Sequence, residues 1–268
     1  MSPQDVQSEP SSLTGEETGK HSIVIIPTYD EADNILSLAE QVLALHERIH
    51  VLVIDDNSPD GTGDLIANRG RDESRLHLIR RAGKLGLGTA YLAGFCYALE
   101  NDYDPVFTMD ADFSHDPRYI PEMLESMEAN DLVIGSRYVP GGRVANWPLH
   151  RRLLSRFANF YTRRLLNLPV RDCTSGFRCH SAAVLQAVDP FGIRSSGYSF
   201  LEEMVVRVNR HGFRIGEIPI TFENRRTGSS KIDSSEIYRA AWHVLVTALR
   251  PSSRPIVDRT LHKKISSE

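Results

Sequence analysis

The chain has 268 residues, 41% of them hydrophobic and 25% charged, an ordinary globular composition long enough to bury a sizeable core. A net charge of -4 gives no global attraction for nucleic acid. There is no basic start followed by an apolar run, and no stretch approaches the roughly 20 apolar residues of a membrane span, so the chain reads as soluble or peripheral.

Residues 1–20 are rich in Ser, Glu, Gly and Pro and read as a disordered, mostly acidic tail. Residues 22–27 form a β-branched apolar run, the mark of a buried strand. Ile35, Leu38, Ala39, Val42 and Leu45 then recur at helical spacing. Strands are expected over 51–55, 76–79, 106–110 and 132–135. Helices are expected from about Gly61, over 88–99 and over 117–127, where Pro117 suits a first turn. The alternation predicts an α/β fold with a mostly parallel sheet flanked by helices. After Pro140-Gly141-Gly142 the character changes. Residues 147–168 read as a helix that mixes arginines with large apolar groups. Further helices are expected over 181–188 and 202–211, then a strand over 215–222. Residues 232–249 read as an amphipathic helix, followed by a basic tail with Arg250, Arg254, Arg259, Lys263 and Lys264. The division is a tail over 1–20, a main folded domain over 21–231, and the amphipathic helix with its tail over 232–268. The three cysteines make no CxxC pair and read as reduced thiols of a cytosolic protein.

In open parallel sheets, ligands bind beyond the carboxyl ends of the strands. Three expected strands end there in polar clusters: Pro27-Thr28-Tyr29-Asp30-Glu31, Asp55-Asp56-Asn57-Ser58 and Asp110-Ala111-Asp112. Two carboxylates one residue apart hold a divalent cation such as Mg²⁺ or Mn²⁺, which draws its other ligands from water and phosphate. By itself such a pair is equally a common feature of solvated loops. The segment after Asp56 is also plain turn chemistry leading into a helix. Lys84-Leu85-Gly86-Leu87-Gly88 offers close backbone approach and a lysine for a phosphate or an acidic partner, or simply a tight turn with an exposed lysine. It lacks the ending of a P-loop. His115 either joins a metal shell or makes a loop hydrogen bond. Glu202 and Glu203 either face an acceptor or lie on a helix surface.

Ile25-Ile26-Pro27-Thr28-Tyr29-Asp30-Glu31, Ile54-Asp55-Asp56-Asn57-Ser58-Pro59-Asp60-Gly61-Thr62, Lys84-Leu85-Gly86-Leu87-Gly88 and Asp110-Ala111-Asp112-Phe113-Ser114-His115 occur in the order found in glycosyltransferase family 2. Gly135-Ser136-Arg137-Tyr138, Asn146-Trp147-Pro148-Leu149-His150-Arg151-Arg152 and Thr174-Ser175-Gly176-Phe177-Arg178 resemble one branch of it, the dolichol-phosphate (polyprenol-phosphate) mannosyltransferases. The resemblance spans about residues 22–231. It implies a GT-A fold and transfer of mannose from GDP-mannose to a polyprenyl phosphate, with inversion at the anomeric carbon. It also implies that Pro27, Tyr29, Glu31, Ile54 and Asp56 hold the nucleoside, and that Asp110, Ala111 and Asp112 form the metal and diphosphate site. Ser114 matches a further site position, often Gln in the family, where a hydroxyl is a poorer metal ligand. Arg137, Arg151 and Ser155 match phosphate contacts. Arg225 and Lys231 match a mobile loop over the donor.

A phosphate monoester is largely dianionic near neutral pH, its second pKa being about 6. Such an acceptor needs no strong general base, only alignment and charge neutralisation. Asp112, Arg137 and Arg151 are the residues on which that chemistry rests. The basic helix over 147–168 either lies on an anionic membrane or packs its apolar side on the core. The helix with Tyr238, Trp242, Leu245 and Leu249 presents the same choice, with a membrane-protein partner or a second copy as further occupants. The expected location is the cytoplasmic face of a membrane. Competing readings are a UDP-glucose donor, a non-catalytic membrane-partner module and a nucleotidyltransferase.

Overall fold

The computed structural model describes residues 20–193 and 198–223. The tail over 1–19, Arg225, Lys231, the helix expected over 232–249 and the basic tail lie outside the described residues. In chain order the elements are β1 (Ser22–Thr28), α1 (Ala32–Leu43), β2 (Ile49–Asp55), α2 (Thr62–Arg69), β3 (Leu76–Arg80), α3 (Leu87–Glu100), β4 (Val106–Thr108) and α4 (Ile120–Ser126). They continue as β5 (Leu132–Ser136), β6 (Arg143–Val144), α5 (Leu149–Leu165), β7 (Arg178–His180), α6 (Ala182–Ala187), α7 (Tyr198–Arg210), β8 (Ile215–Pro219) and β9 (Thr221–Phe222).

Seven strands form one sheet in the order β3-β2-β1-β4-β7-β5-β8. β7 alone runs against its neighbours, β4 and β5. The other pairings in this sheet are parallel. β6 and β9 make a small separate parallel ribbon. This is the mixed, mostly parallel, helix-flanked sheet of the GT-A fold.

Strands covered on both sides read as continuous apolar runs because alternate residues enter opposite cores. In β1, Ile23 and Ile25 join a cluster with α3 and α7, while Val24 and Ile26 join a second cluster with α1. The approach of α3 to β1 is close: a Cβ on Gly94 would lie 2.6 Å from Ile25 Cγ2.

Most expected elements are present, and the differences have physical causes. The helix expected from 147 starts at Leu149, after Pro148. It stops before Asn167, whose φ of +51° is left-handed, with Leu168 N donating to Arg163 O. The strand expected over 215–222 is two strands, β8 leaving the main sheet for β9 after Pro219. α7 begins at Tyr198, four residues before the expected helix. β7 was not expected at all. Its first residue, Arg178, is fully buried, and its guanidinium donates to the carbonyls of Cys173, Ser175 and Leu201 at 2.7, 2.8 and 2.7 Å. A buried strand that opens on a charge carries no apolar signature. Burial lowers the Arg178 pKa to about 10, so it stays charged at neutral pH.

α5 reverses the usual arrangement of an amphipathic helix. Its inward side is polar: Ser155 Oγ accepts from Tyr138 Oη at 2.7 Å, Asn159 Oδ1 accepts from Cys173 N at 2.8 Å, and Thr162 Oγ1 donates to Glu202 Oε1 at 3.2 Å. Leu149, Leu153, Phe157 and Phe160 fall on the opposite side and are 58–67% exposed. The apolar side of this helix therefore does not pack on the described core.

Candidate functional site

The carboxyl ends of β1, β2 and β4 come together as the parallel order requires. Thr28 Oγ1 donates to Asp55 Oδ1 at 3.1 Å, and Glu31 N donates to Thr62 Oγ1 at 3.1 Å, tying the first two loops. Asp55 is consumed in this frame, accepting also from Ser58 N and Ser58 Oγ. Asp56 instead forms an ion pair with Arg81, which also donates to Gly86 O in the glycine loop. Lys84 Nζ lies 4.4 Å from the centre of the Tyr29 ring. Pro27, Tyr29, Glu31, Ile54 and Asp56 thus share one region, walled by the glycine loop. Sequence reasoning missed Arg81, although it stands at the end of β3 on the same edge.

The acidic loop is a closed turn. Asp110 N donates to His115 Nδ1 at 3.0 Å, and Ser114 N donates to Asp112 Oδ1 at 3.0 Å. Phe113, at φ +60°, supplies the left-handed residue. His115 is fully buried and makes the loop hydrogen bond rather than standing open to an ion. Burial lowers its pKa, against the raising influence of Asp110 and Asp112. Its Nδ1 accepts, so the neutral ring carries its proton on Nε2. Asp112 is buried, whereas the Asp110 side chain is 37% exposed.

Do these residues suit a divalent metal? Asp110 and Asp112 offer hard carboxylate oxygens, and Ser114 Oγ is buried with no hydrogen-bond partner among the described residues. Among those residues no group of three or more His, Cys, Asp or Glu gathers to hold an ion. A partial oxygen shell of this kind fits Mg²⁺ or Mn²⁺, which take waters and phosphate oxygens as remaining ligands.

The second half of the site is built on the loop before β7. Arg137, next after β5, donates from Nε and Nη2 to the two Asp172 oxygens, each at 2.7 Å, and from Nη2 to Thr174 Oγ1 at 2.7 Å. Asp172 is fully buried. Burial alone would raise its pKa, but the Arg137 charge and hydrogen bonds outweigh burial and hold the carboxyl below its usual range. Arg137 is therefore the fixed member of a buried ion pair, and its partner Asp172 is a residue the sequence did not reveal. Its guanidinium also lies 5.2 Å from the Tyr138 ring and 5.3 Å from the Phe222 ring. Arg151 stacks on Trp147 at 3.9 Å. Ser155 accepts from Tyr138, as described above.

The two halves are joined. Thr108 Oγ1 donates to Gly176 O at 2.8 Å, and a Cβ on Gly176 would lie 3.3 Å from Asp110 Oδ1. From the same loop, Thr174 reaches Arg137 and Asn159 of α5. An aromatic chain runs in parallel: His115 to Phe222 at 5.5 Å, then Phe222 to Trp147 at 5.6 Å. Glu202 and Glu203 face inward, at 5% and 8% exposure, contrary to the helix-surface expectation. Glu203 pairs with Arg207. Burial raises Glu202 to about 7, and its Oε2 has no partner among the described residues.

The helix-flanked, mostly parallel sheet with an acidic pair at its carboxyl edge is the frame of a glycosyltransferase of the GT-A type. The model of the family described as Glycosyl transferase family 2 matches residues 23–188, and the chain belongs to that family. The chain is 42% identical over 233 residues to the polyprenol monophosphomannose synthase of Mycolicibacterium smegmatis, covering 86% of this chain and 88% of that one. It is 44% identical over 223 residues to the undecaprenyl-phosphate mannosyltransferase of Micrococcus luteus, covering 83% and 91%. The fold matches glucosyl-3-phosphoglycerate synthase from Mycobacterium tuberculosis in complex with Mn²⁺, UDP-glucose and phosphoglyceric acid, with a TM-score of 0.63 at 18% identity, covering 88% and 82%. It also matches a mannosyltransferase from Pyrobaculum calidifontis in complex with GDP-mannose and Mn²⁺, with a TM-score of 0.57 at 14% identity, covering 92% and 69%.

Proposed function

We propose that this chain transfers mannose from GDP-mannose to a polyprenyl phosphate of the dolichyl type, with inversion, at the cytoplasmic face of a membrane. The observation that carries the lipid acceptor is the reversed α5. This helix places Leu149, Leu153, Phe157 and Phe160 outward, while its inward Ser155 and Asn159 join it to the site. It holds five arginines and no carboxylate, a charge pattern complementary to anionic lipid headgroups. The named relatives act on polyprenyl phosphates or make the polyprenol product, which supports the same reading.

Tyr29, Glu31 and Asp56 would bind the nucleoside at the ends of β1 and β2. Asp110 and Asp112, with Ser114 beside them, would hold a divalent metal. When bound, that metal neutralises the diphosphate and improves it as a leaving group. Arg137, held rigid by Asp172, orients the acceptor phosphate, and Arg151 and Ser155 present α5's donors to it. In-line attack by a phosphate oxygen on the anomeric carbon inverts the configuration and releases GDP. The acceptor arrives already ionised, so no residue is required to remove a proton. Arg225 and Lys231, outside the described residues, would close over the donor.

Radiolabelled GDP-mannose and UDP-glucose, each offered with polyprenyl phosphate, test the reading. The expected result is a lipid-linked product from GDP-mannose only, with GDP released. A product from UDP-glucose alone would replace the donor. Release of inorganic diphosphate would mark a nucleotidyltransferase.

A further inference from the structure

Just past the end of β5, Tyr138 reaches from the sheet edge to α5. Its hydroxyl donates to Ser155 Oγ at 2.7 Å, 17 residues further along the chain. Two guanidinium groups lie by its ring, Arg137 at 5.2 Å and Arg156 at 6.0 Å. The Tyr138 backbone N–H donates to Ser136 Oγ at 3.3 Å, so the residue is tied at both ends. α5 does not depend on this contact for its seat. One turn beyond Ser155, Asn159 Oδ1 accepts from Cys173 N at 2.8 Å and Asn159 Nδ2 donates to Thr174 Oγ1 at 3.2 Å. Thr162 is tied to Glu202 further along.

The Tyr138 contact decides instead how the Ser155 hydroxyl is used. A serine hydroxyl has one proton and two lone pairs. Inside a helix that proton commonly turns back to the carbonyl four residues earlier, here that of Arg151. The phenol, with a pKa of about 10, is the more acidic of the two hydroxyls and is the donor. Ser155 therefore gives a lone pair to Tyr138 and keeps its own proton, which meets no acceptor among the described residues. A dianionic phosphate needs donors, and an O–H···O⁻ bond to it is short and strong.

We infer that Tyr138 is a positioning residue for the acceptor phosphate: by filling a lone pair of Ser155 it leaves that hydroxyl's proton for the phosphate. This role rests on the proposed assignment of Arg137, Arg151 and Ser155 to a lipid phosphate. Without the tyrosine hydroxyl, Ser155 is free to turn its proton onto the Arg151 carbonyl, where it is lost to the acceptor. Tyr138 acts through Ser155 and needs no contact with the phosphate itself. A phenylalanine in its place keeps the ring beside Arg137 and Arg156 and removes only the hydroxyl.

The test is a double-mutant cycle of Tyr138→Phe and Ser155→Ala. Farnesyl phosphate, a short isoprenyl phosphate, is titrated into each protein with GDP and Mg²⁺ present, and farnesol serves as the control for tail binding. Ser155→Ala should weaken phosphate-dependent binding about tenfold or more, the worth of a hydrogen bond to a charged group, and Tyr138→Phe about threefold or more. The double variant should be no weaker than Ser155→Ala, because the two residues act as one. Tyr138→Phe should leave Tm and GDP affinity unchanged, and should raise KM for polyprenyl phosphate but not for the donor. A structural role would instead lower Tm or move both substrates. Unchanged farnesyl phosphate affinity in Tyr138→Phe, losses that multiply in the double variant, a matching loss of GDP affinity, or no phosphate-dependent binding by the unmutated chain would each overturn the inference. A chain that shows the expected binding pattern yet transfers no mannose would support it and overturn the proposed function alone.

Discussion

Replacing Asp172 by Asn should weaken the fold and the reaction together, and a second substitution should separate the two. The Asp172 side chain is 0% exposed and that of Arg137 is 7% exposed. Asn preserves the shape but removes the charge and turns one acceptor into a donor that faces Arg137. Removing one partner of a buried pair costs about 3–5 kcal/mol, chiefly because the other charge is left uncompensated. For a domain of this size each kcal/mol is worth about 2–4 °C, so Tm should fall by roughly 6–20 °C. The folded Asp172 pKa is depressed. Its contribution is therefore complete above its unfolded pKa of about 3.9 and is lost as pH falls toward the folded value. The gap between the two proteins should be constant through neutral pH and close only in acid. Thermal and urea unfolding at several pH values measure this. An Arg137→Met/Asp172→Leu double variant should regain most of the stability, since it leaves no buried charge, yet transfer no mannose. A loss below about 1 kcal/mol in Asp172→Asn, or transfer by the double variant, would refute the account of Arg137 as a buried, oriented cation.

Other expectations concern the rest of the site. Asp112→Ala should abolish transfer while the protein stays folded by circular dichroism, and excess chelator should do the same to the unmutated enzyme; turnover in either case removes the metal role. Phe157→Glu with Phe160→Glu should abolish sedimentation with anionic vesicles while stability changes by about 0.5 kcal/mol or less, as for exposed positions. A large fall in Tm would instead mean that this side of α5 is covered by protein. Glu202 has a folded pKa raised from 4.5 to about 7, so the protein loses stability as pH rises between those values. Glu202→Gln should flatten that dependence and stabilise the chain at pH 8, by at most about 3 kcal/mol. A variant that keeps the unmutated pH dependence would show that Glu202 does not titrate in this range.

Local pattern was enough to reveal a good deal. The apolar runs of β1 and β2 identified the parallel sheet because a strand covered on both faces is apolar along most of its length. The polar residues that end them identified the edge, and the ordered motifs identified the family. Legibility failed where a charge is satisfied by something distant in sequence. Arg178 is charged yet opens a buried strand, because three carbonyls surround it. Arg137 was legible as a phosphate contact, but its buried partner Asp172, 35 residues later, was not. Arg81 joins Asp56 across 25 residues. α5 is the strongest case. Its sequence shows an amphipathic helix, and periodicity alone cannot say which side faces inward. That direction is decided by what lies beneath, and beneath α5 lie the polar partners Tyr138, Cys173, Thr174 and Glu202. The sequence alone therefore determined the parallel strands of the sheet, the polar edge where they end and the family, since each depends on neighbours along the chain. Tertiary structure alone decided which charges are buried and which way α5 turns, since both depend on partners the chain brings from afar.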